Sequence, residues 1–505
     1  GAEGMGLYQM VFPVYTVLLA FCGGGVASAV SRVVAKYTAR GDDNAAVRAV
    51  KSAAVPLIII SIILTSVVMI FRNVISTLQG NPDASLCYLA LAPSLLFSGG
   101  TGVLRGYFQG KNNMMPSGIS QLIEQVVKLF LGLFFARVLS RYGVKYAVAG
   151  ALLGVTASEL LALLYLFLRY VLSKKCRSAK LPVRTIAPVR ALFEAAQDGM
   201  IVTDKQLRRE IMAFALPITL GSLVIPLTQM IDSALVINLL MRGAATRAEA
   251  TALFGLFVGP VGTLINMPTV IVSSVSVAFL PALTADLERG GDGGKMTKLV
   301  IEFVMMFVIP VTVAFMLFPE SICAALYRRG LTDAQLTVAA RLLRVQAITV
   351  FYAGAYQVFA TMLQTRGKAH RPMINLAVGG LVKIALTPLL VIVVGISGAA
   401  AATTALYGVA AALTARSACR LSPVCASVKN AFLMPLLFSA VGAAAFWGVG
   451  FVLGFTAMSD LWKTVISTLA FMTVYATGMT ACGAIDVKIL IKKNSERVRQ
   501  KPEKI

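Results

Sequence analysis

Apolar residues in this chain run in long blocks rather than alternating with polar ones. Thirteen blocks are read, near 7–32, 52–78, 85–108, 117–139, 146–171, 207–240, 250–282, 297–318, 337–365, 373–394, 397–419, 429–453 and 459–487. A helix needs about 20 apolar residues to cross a hydrocarbon core of about 30 Å. A barrel strand needs only about 10 residues, alternating in character. The pattern therefore predicts an all-α polytopic membrane protein and excludes a barrel.

Two polar interruptions repeat. Arg105-Gly-Tyr-Phe-Gln-Gly-Lys-Asn-Asn-Met-Met-Pro116 runs into an apolar helix carrying Lys128, and Leu363-Gln-Thr-Arg-Gly-Lys-Ala-His-Arg-Pro372 runs into one carrying Lys383. In both, a Gln, a Gly-Lys step and a Pro precede the helix, and the Lys lies twelve or eleven residues past the Pro. A second pair keeps the same order: Pro13 opens a small-residue helix ending at Arg40-Gly-Asp-Asp43, and Pro260 opens one ending at Arg289-Gly-Gly-Asp292. Two homologous halves are expected, and repeats of hydrophobic helices are the usual mark of a secondary transporter with its site between them.

Composition sharpens this picture. The chain is 58% hydrophobic with a mean hydropathy of +0.81, against about 45–50% apolar for a soluble domain. The net charge of +24 invites a nucleic-acid reading, which its distribution defeats. With the Arg40 loop inside, alternating loops on that side hold 31 of the 46 basic residues, the opposite loops nine, and the helices six. That asymmetry is the positive-inside rule, with anionic phospholipids as the partner and no nucleic acid. The seven cysteines form no C-x-x-C, and the single histidine, His370, rules out His-based triads and multi-His metal sites. No G-x-S-x-G or G-K-[ST] loop occurs, so neither an enzyme, a metal nor a cofactor is expected.

The expected organisation is an N-terminal lobe at 1–172, a basic linker at 173–206 with an amphipathic surface helix at 189–199, and a C-terminal lobe at 207–420. Two further membrane helices (421–491) and a polar tail (492–505) follow. Thr203-Asp-Lys-Gln206 reads as a capping box opening the helix 207–240. The first half begins with the counterpart of the next helix, and residue 1 is Gly. The expectation is thus two pseudo-symmetric six-helix lobes plus two extra helices, with the first helix of lobe 1 missing from a fourteen-helix parent. Gly102-x-x-x-Gly106-x-x-x-Gly110 predicts close helix packing.

Ionisable side chains inside a membrane cost about 2.5–3.5 kcal/mol each at the helix centre, so each asks for a reason. Lys128 and Lys383 lie eleven or twelve residues deep, about 17 Å at 1.5 Å per residue, near the midplane. Glu124, one turn before Lys128, offers an internal ion pair as the plain structural reading. The alternative is that both lysines hold one anionic headgroup, with Glu124, Arg105, Asn266 and Arg344 as further substrate-binding candidates. Asn266 is equally read as core hydrogen bonding, Arg344 as snorkelling, and Arg105 as a topological or lipid-phosphate contact. Asp232, deep in 207–240, is a coupling-cation candidate (Na+ or H+) or a brace for a cation. Glu302 and Glu159 read as buried partners of unidentified cations.

Gly4-Met-Gly-Leu-Tyr-Gln-Met10, Gly106-Tyr-Phe-Gln-Gly110 with Pro116 and Ser120-Gln-Leu-Ile-Glu-Gln125, Leu216-Pro-Ile-Thr-Leu-Gly221 through Ile231-Asp-Ser233, and Leu363-Gln364 with Gly367-Lys368 and Pro372 together carry a resemblance. The chain resembles the multidrug/oligosaccharidyl-lipid/polysaccharide (MOP) exporter superfamily, and within it the lipid-flippase branch typified by stage V sporulation protein B and the Gram-positive lipid II flippases. The resemblance implies a bacterial plasma-membrane protein that moves an undecaprenyl-pyrophosphate-linked sugar, a cell-wall precursor, from the inner to the outer leaflet. Relatives with basic residues midway along the second helix are not matched, because Val17 to Ala20 is apolar here. A cation-coupled multidrug exporter and a non-transporting scaffold for wall or spore-coat assembly are the competing readings. The two extra helices favour the lipid branch over the first, and midplane lysines argue against the second.

The charge asymmetry sets a topology. Residues 1–6 are expected outside, with 33–51, 173–206 and the tail after 488 inside. A cysteine placed at position 180 should resist membrane-impermeant maleimide in intact cells; labelling there from outside would overturn the assignment.

Overall fold

The computed structural model describes residues 1–40, 42–178, 203–243, 245–288, 294–368, 370–421, 429–454 and 458–482. The surface helix expected at 189–199, most of the basic linker and the tail lie outside them. The described residues are 92% helix, with no strand among them. Among the described residues, twelve helices are long and apolar enough to cross a membrane. The thirteenth expected block, 117–139, also folds as a long helix, but Ser117, Ser120, Gln121, Glu124, Gln125 and Lys128 dilute its apolar character.

Two compact units divide the chain at 255/256. The first contains α1 (Ala2–Leu19), α2 (Val26–Ala39), α3 (Asp43–Leu78), α4 (Ala84–Leu91), α5 (Ser94–Gly110), α6 (Met114–Leu139), α7 (Val144–Ser178), α8 (Asp204–Ser222), α9 (Val224–Arg242) and all but the last residue of α10 (Arg247–Leu256). Pro13 lies inside α1 rather than opening it. A π-turn at Ala20–Gly24 joins α1 to α2, and π-turns inside helices often mark functional positions.

Glycine lets these helices approach closely where hydrophobic area gives little drive, as between lipid-facing segments. A Cβ on Gly106 would sit 2.6 Å from the Ala27 carbonyl oxygen, and one on Gly110 2.5 Å from that of Ser31. The spacing seen in the sequence thus lets α5 lie against the backbone of α2. Gly132 and Gly154 do the same for the α6–α7 hairpin, where a Cβ on Gly154 would fall 2.4 Å from Gly132 Cα.

The boundary differs from the one expected at 206/207. The segment 204–242 packs within the first unit, against α1, α2 and α3. The physical reason is visible at both of its ends. At its start the Thr203 and Gln206 capping box forms, Arg48 bonds Asp204 at 2.9 Å, and Lys36 bonds Glu210 at 2.6 Å. Leu207, Ile211 and Ala215 join the core of Val30, Val33 and Leu57. At the far end Gln79 donates to Ser233 Oγ at 2.8 Å and Asn238 to the Leu78 carbonyl at 2.8 Å.

The second unit contains α11 (Gly262–Glu288), α12 (Gly294–Leu317), α13 (Pro319–Tyr327), α14 (Asp333–Thr365), α15 (His370–Val394), α16 (Ile396–Cys419), α17 (Met434–Gly454) and α18 (Asp460–Ala481). Pro260 falls in a π-turn, Phe257–Val261, ahead of α11. The two added helices are fastened to this unit. Phe318 stacks on Phe446 with centroids 3.7 Å apart and meets Phe471 edge-on. Tyr475 donates to the Met306 carbonyl at 2.6 Å, and Arg328 pairs with Asp460. Many Ser and Thr hydroxyls donate to carbonyls three or four residues back, as with Thr387 to Lys383 at 2.8 Å, so those polar groups are satisfied without water.

Gly106→Leu should push α5 off α2 and cost about 1–3 kcal/mol by overpacking, seen as a lower melting temperature in detergent. Gly118→Ala, where nothing lies within 4 Å of the added carbon, should leave it unchanged. Equal stability of the two variants would contradict the packing.

Candidate functional site

The polar residues of α5 and α6 face one another because of the turn between them. Asn112 takes a left-handed conformation (φ 56°), and the Asn113 N–H bonds back to the Phe108 carbonyl at 3.0 Å. α6 therefore runs back along α5, and side chains before and after the turn meet in rungs. Gln109 donates to Ser117 Oγ at 2.9 Å. One turn deeper, Arg105 Nε donates to Ser120 Oγ at 2.9 Å and Arg105 Nη2 pairs with Glu124 at 2.9 Å, both side chains being less than a fifth exposed.

Glu124 is thereby the partner of Arg105, not of Lys128 as the sequence suggested. The correction has a geometric cause. Glu124 and Lys128 share a face of α6, but Arg105 reaches across with a planar fork that suits a carboxylate better than a point cation does. Lys128 instead sits with its ammonium 5.2 Å from the centroid of the Phe12 ring on α1, and among the described residues it makes no ion pair. A cation–π contact contributes about 0.5–2 kcal/mol depending on desolvation, and it satisfies none of the three ammonium donors. A half-buried cation is left with hydrogen-bonding capacity for an anion.

A fourth charge-bearing residue adjoins these. Glu159 on α7 is buried (6% exposed), and its Oε2 has no hydrogen-bond partner. The charges of Glu124, Arg105 and Lys128 all act on it. Sequence reading had flagged Glu159 as a carboxylate inside an apolar run without seeing its neighbours, and Phe12 was not singled out at all. At the Gly110 end of α5, Lys111 lies over the Tyr107 ring at 5.3 Å, and burial pulls its ammonium below the usual lysine range.

Asp232 belongs to the first unit too, buried on α9. The remaining candidates lie in the second unit. Lys383 is buried on α15 (4% exposed). Asn266 is exposed on α11, not hydrogen-bonded in the core, because it falls on the helix face opposite Leu264 and Ile265. Arg344 on α14 is taken by Glu320, with bonds of 2.8 and 3.0 Å to its two oxygens and a third to the Met316 carbonyl. Glu302 finds its cation one turn away, with Lys298 at 3.9 Å.

Known proteins are similar to this chain in sequence and in fold. The family model described as polysaccharide biosynthesis protein matches residues 1–285. Stage V sporulation protein B of Bacillus subtilis (strain 168) is 30% identical over 290 residues, 57% of this chain and 53% of that protein, so the match spans about half the relative's length. Lipid II flippase MurJ of the same organism is 23% identical over 425 residues, 81% of this chain and 75% of that protein. Among solved structures, a lipid II flippase MurJ in an inward closed conformation superposes with a TM-score of 0.71 at 15% identity, covering 95% of this chain and 92% of that one.

The Arg105–Glu124 pair predicts a specific pattern of coupling. Arg105→Met or Glu124→Met alone leaves an unpaired charge inside the unit and should destabilise the fold by about 3 kcal/mol, the lower end for breaking a buried pair. The double variant should recover most of that loss. Additive losses in a thermal-melt double-mutant cycle would mean that the two residues do not act as a pair.

Proposed function

The chain belongs to the polysaccharide biosynthesis protein family, and from that membership we propose that it flips an undecaprenyl-pyrophosphate-linked cell-wall precursor or oligosaccharide, lipid II-like in character, from the inner to the outer leaflet by alternating access. The protein is a multi-pass membrane protein of the bacterial plasma membrane and a member of the MOP exporter superfamily. One relative supports the substrate class by name, a lipid II flippase.

The observation that carries the reading is Lys128. An ammonium deep in an apolar helix, with its neighbouring carboxylate committed to Arg105 and only an aromatic face beneath it, costs stability unless it has a task. A phosphate oxygen accepts from such a group in a charge-assisted bond of about 1.5–3 kcal/mol. One such bond holds a headgroup firmly enough to select it and weakly enough to release it. Lys383, at the matching place in the second repeat, contributes a second contact during the cycle, and Asp232 is the site proposed for a coupling Na+ or H+. The substrate is anionic, so an inside-negative potential favours its outward passage by about 2.3 kcal/mol per charge per 100 mV.

Lys128→Met and Lys383→Met keep the apolar stem and remove the charge. Each should fold and insert as the parent does, while flipping of a pyrophosphate lipid in proteoliposomes falls roughly tenfold or more, the equivalent of one charge-assisted contact. Parental flipping rates in both well-folded variants would contradict the assignment.

A further inference from the structure

Four ionisable side chains meet inside the first unit, two basic and two acidic. Arg105 and Glu124 neutralise one another at 2.9 Å. That leaves Lys128, seated on Phe12, and Glu159, whose buried Oε2 has no donor. With Glu159 ionised the group is neutral overall. With Glu159 carrying a proton it bears one net positive charge, and that charge resides on Lys128.

We propose that Glu159 is a proton-binding site whose occupancy sets the affinity of Lys128 for an anionic phosphate headgroup, so that proton and anion bind to the first unit together. The proposal rests on Lys128 as the phosphate contact, the reading given above. Its step is a simple protonation. Glu159 Oε2 takes a proton from hydronium, which leaves as water, and the attraction between its carboxylate and the Lys128 ammonium is removed.

The surroundings of Glu159 fit this role. α7 packs against α1, α4, α5 and α6. From α5 and α6 come Arg105, Glu124 and Lys128, whose charges act on Glu159. From α1 comes Tyr15, which lies within electrostatic reach, and α4 carries Tyr88 and Cys87. These three are buried phenols and a buried thiol, uncharged at neutral pH by their ordinary chemistry. On α7 itself the nearest charged side chain is Arg169, ten residues on, about 15 Å along the helix. Among the described residues, Lys128 is thus the one basic group acting on Glu159 that is not already paired with another carboxylate. By linkage the effect is reciprocal: a bound anion strengthens proton binding by the factor with which the proton strengthens anion binding.

The test is binding of a fluorescent, sugar-capped pyrophosphate lipid to the purified full chain as pH is lowered. Each phosphate of such a diester keeps one charge throughout. A His370→Gln background removes the only histidine. The parent should bind more tightly as pH falls, by about fivefold or more, the usual lower end of a coupling between sites. Glu159→Gln, a permanent mimic of the protonated acid, should bind tightly and without pH dependence, and Glu159→Asp should keep the dependence. A pH response that persists in a well-folded Glu159→Gln variant, or a parent that binds equally at every pH, would overturn the proposal while leaving Lys128 as the phosphate contact. A parent that fails to bind at any pH, or a Lys128→Met variant that binds as the parent does, would overturn the substrate reading itself.

Discussion

The ion pair between Arg105 and Glu124 is the interaction on which the chemistry of the first unit depends. It fastens α5 to α6 within the apolar interior at 2.9 Å, and it decides which charges remain. Two charges brought together out of water seldom add much net stability, because desolvation offsets their attraction. Here the consequence is selective rather than stabilising. By committing Glu124 the pair leaves Lys128 with an aromatic ring and Glu159 with an unbonded oxygen. Had Glu124 turned to Lys128 instead, as helix spacing alone allows, Arg105 would carry the uncommitted charge nearer the end of α5.

That pair can form only because backbones approach closely. Gly106 and Gly110 lay α5 on α2, and the left-handed Asn112 folds α6 back after a three-residue connection. The same economy appears in α6 and α7, where Gly132 meets Gly154. Helices in contact along their backbones have few ways to shift relative to one another, so the polar rungs of Gln109 with Ser117 and Arg105 with Ser120 are held in register. Packing and polar chemistry are therefore one constraint, set by residue spacing on three helices.

Much of this was legible in the sequence. The apolar blocks announced the helices, Gly102, Gly106 and Gly110 announced a close contact, and Thr203 with Gln206 announced the start of α8. Each is a local signal, carried by residues within a turn or two of one another. What escaped was long-range. Lys36 with Glu210 and Arg48 with Asp204 join residues more than 150 positions apart, and nothing in either segment alone says that 204–242 packs on α1 to α3. The committed partner of Glu124 escaped for the same reason: Lys128 was its nearest candidate by helix spacing, whereas Arg105 became nearer only once the turn at Asn112 was formed. The core reading of Asn266 fails because a polar residue in an apolar block reads as buried, while its place on α11 is exposed.

The central claim is that the Lys128 ammonium meets the phosphate of the transported lipid, and its own reactivity tests that most directly. Amine-selective acylation of the purified protein, read lysine by lysine by mass spectrometry, would be compared with and without a sugar-capped pyrophosphate lipid. The lipid should protect Lys128, a phosphate-free polyprenol should not, and exposed Lys145, paired with Asp83, should react equally in all three. Acylation of Lys128 at the same rate whether or not the pyrophosphate lipid is bound would contradict the claim.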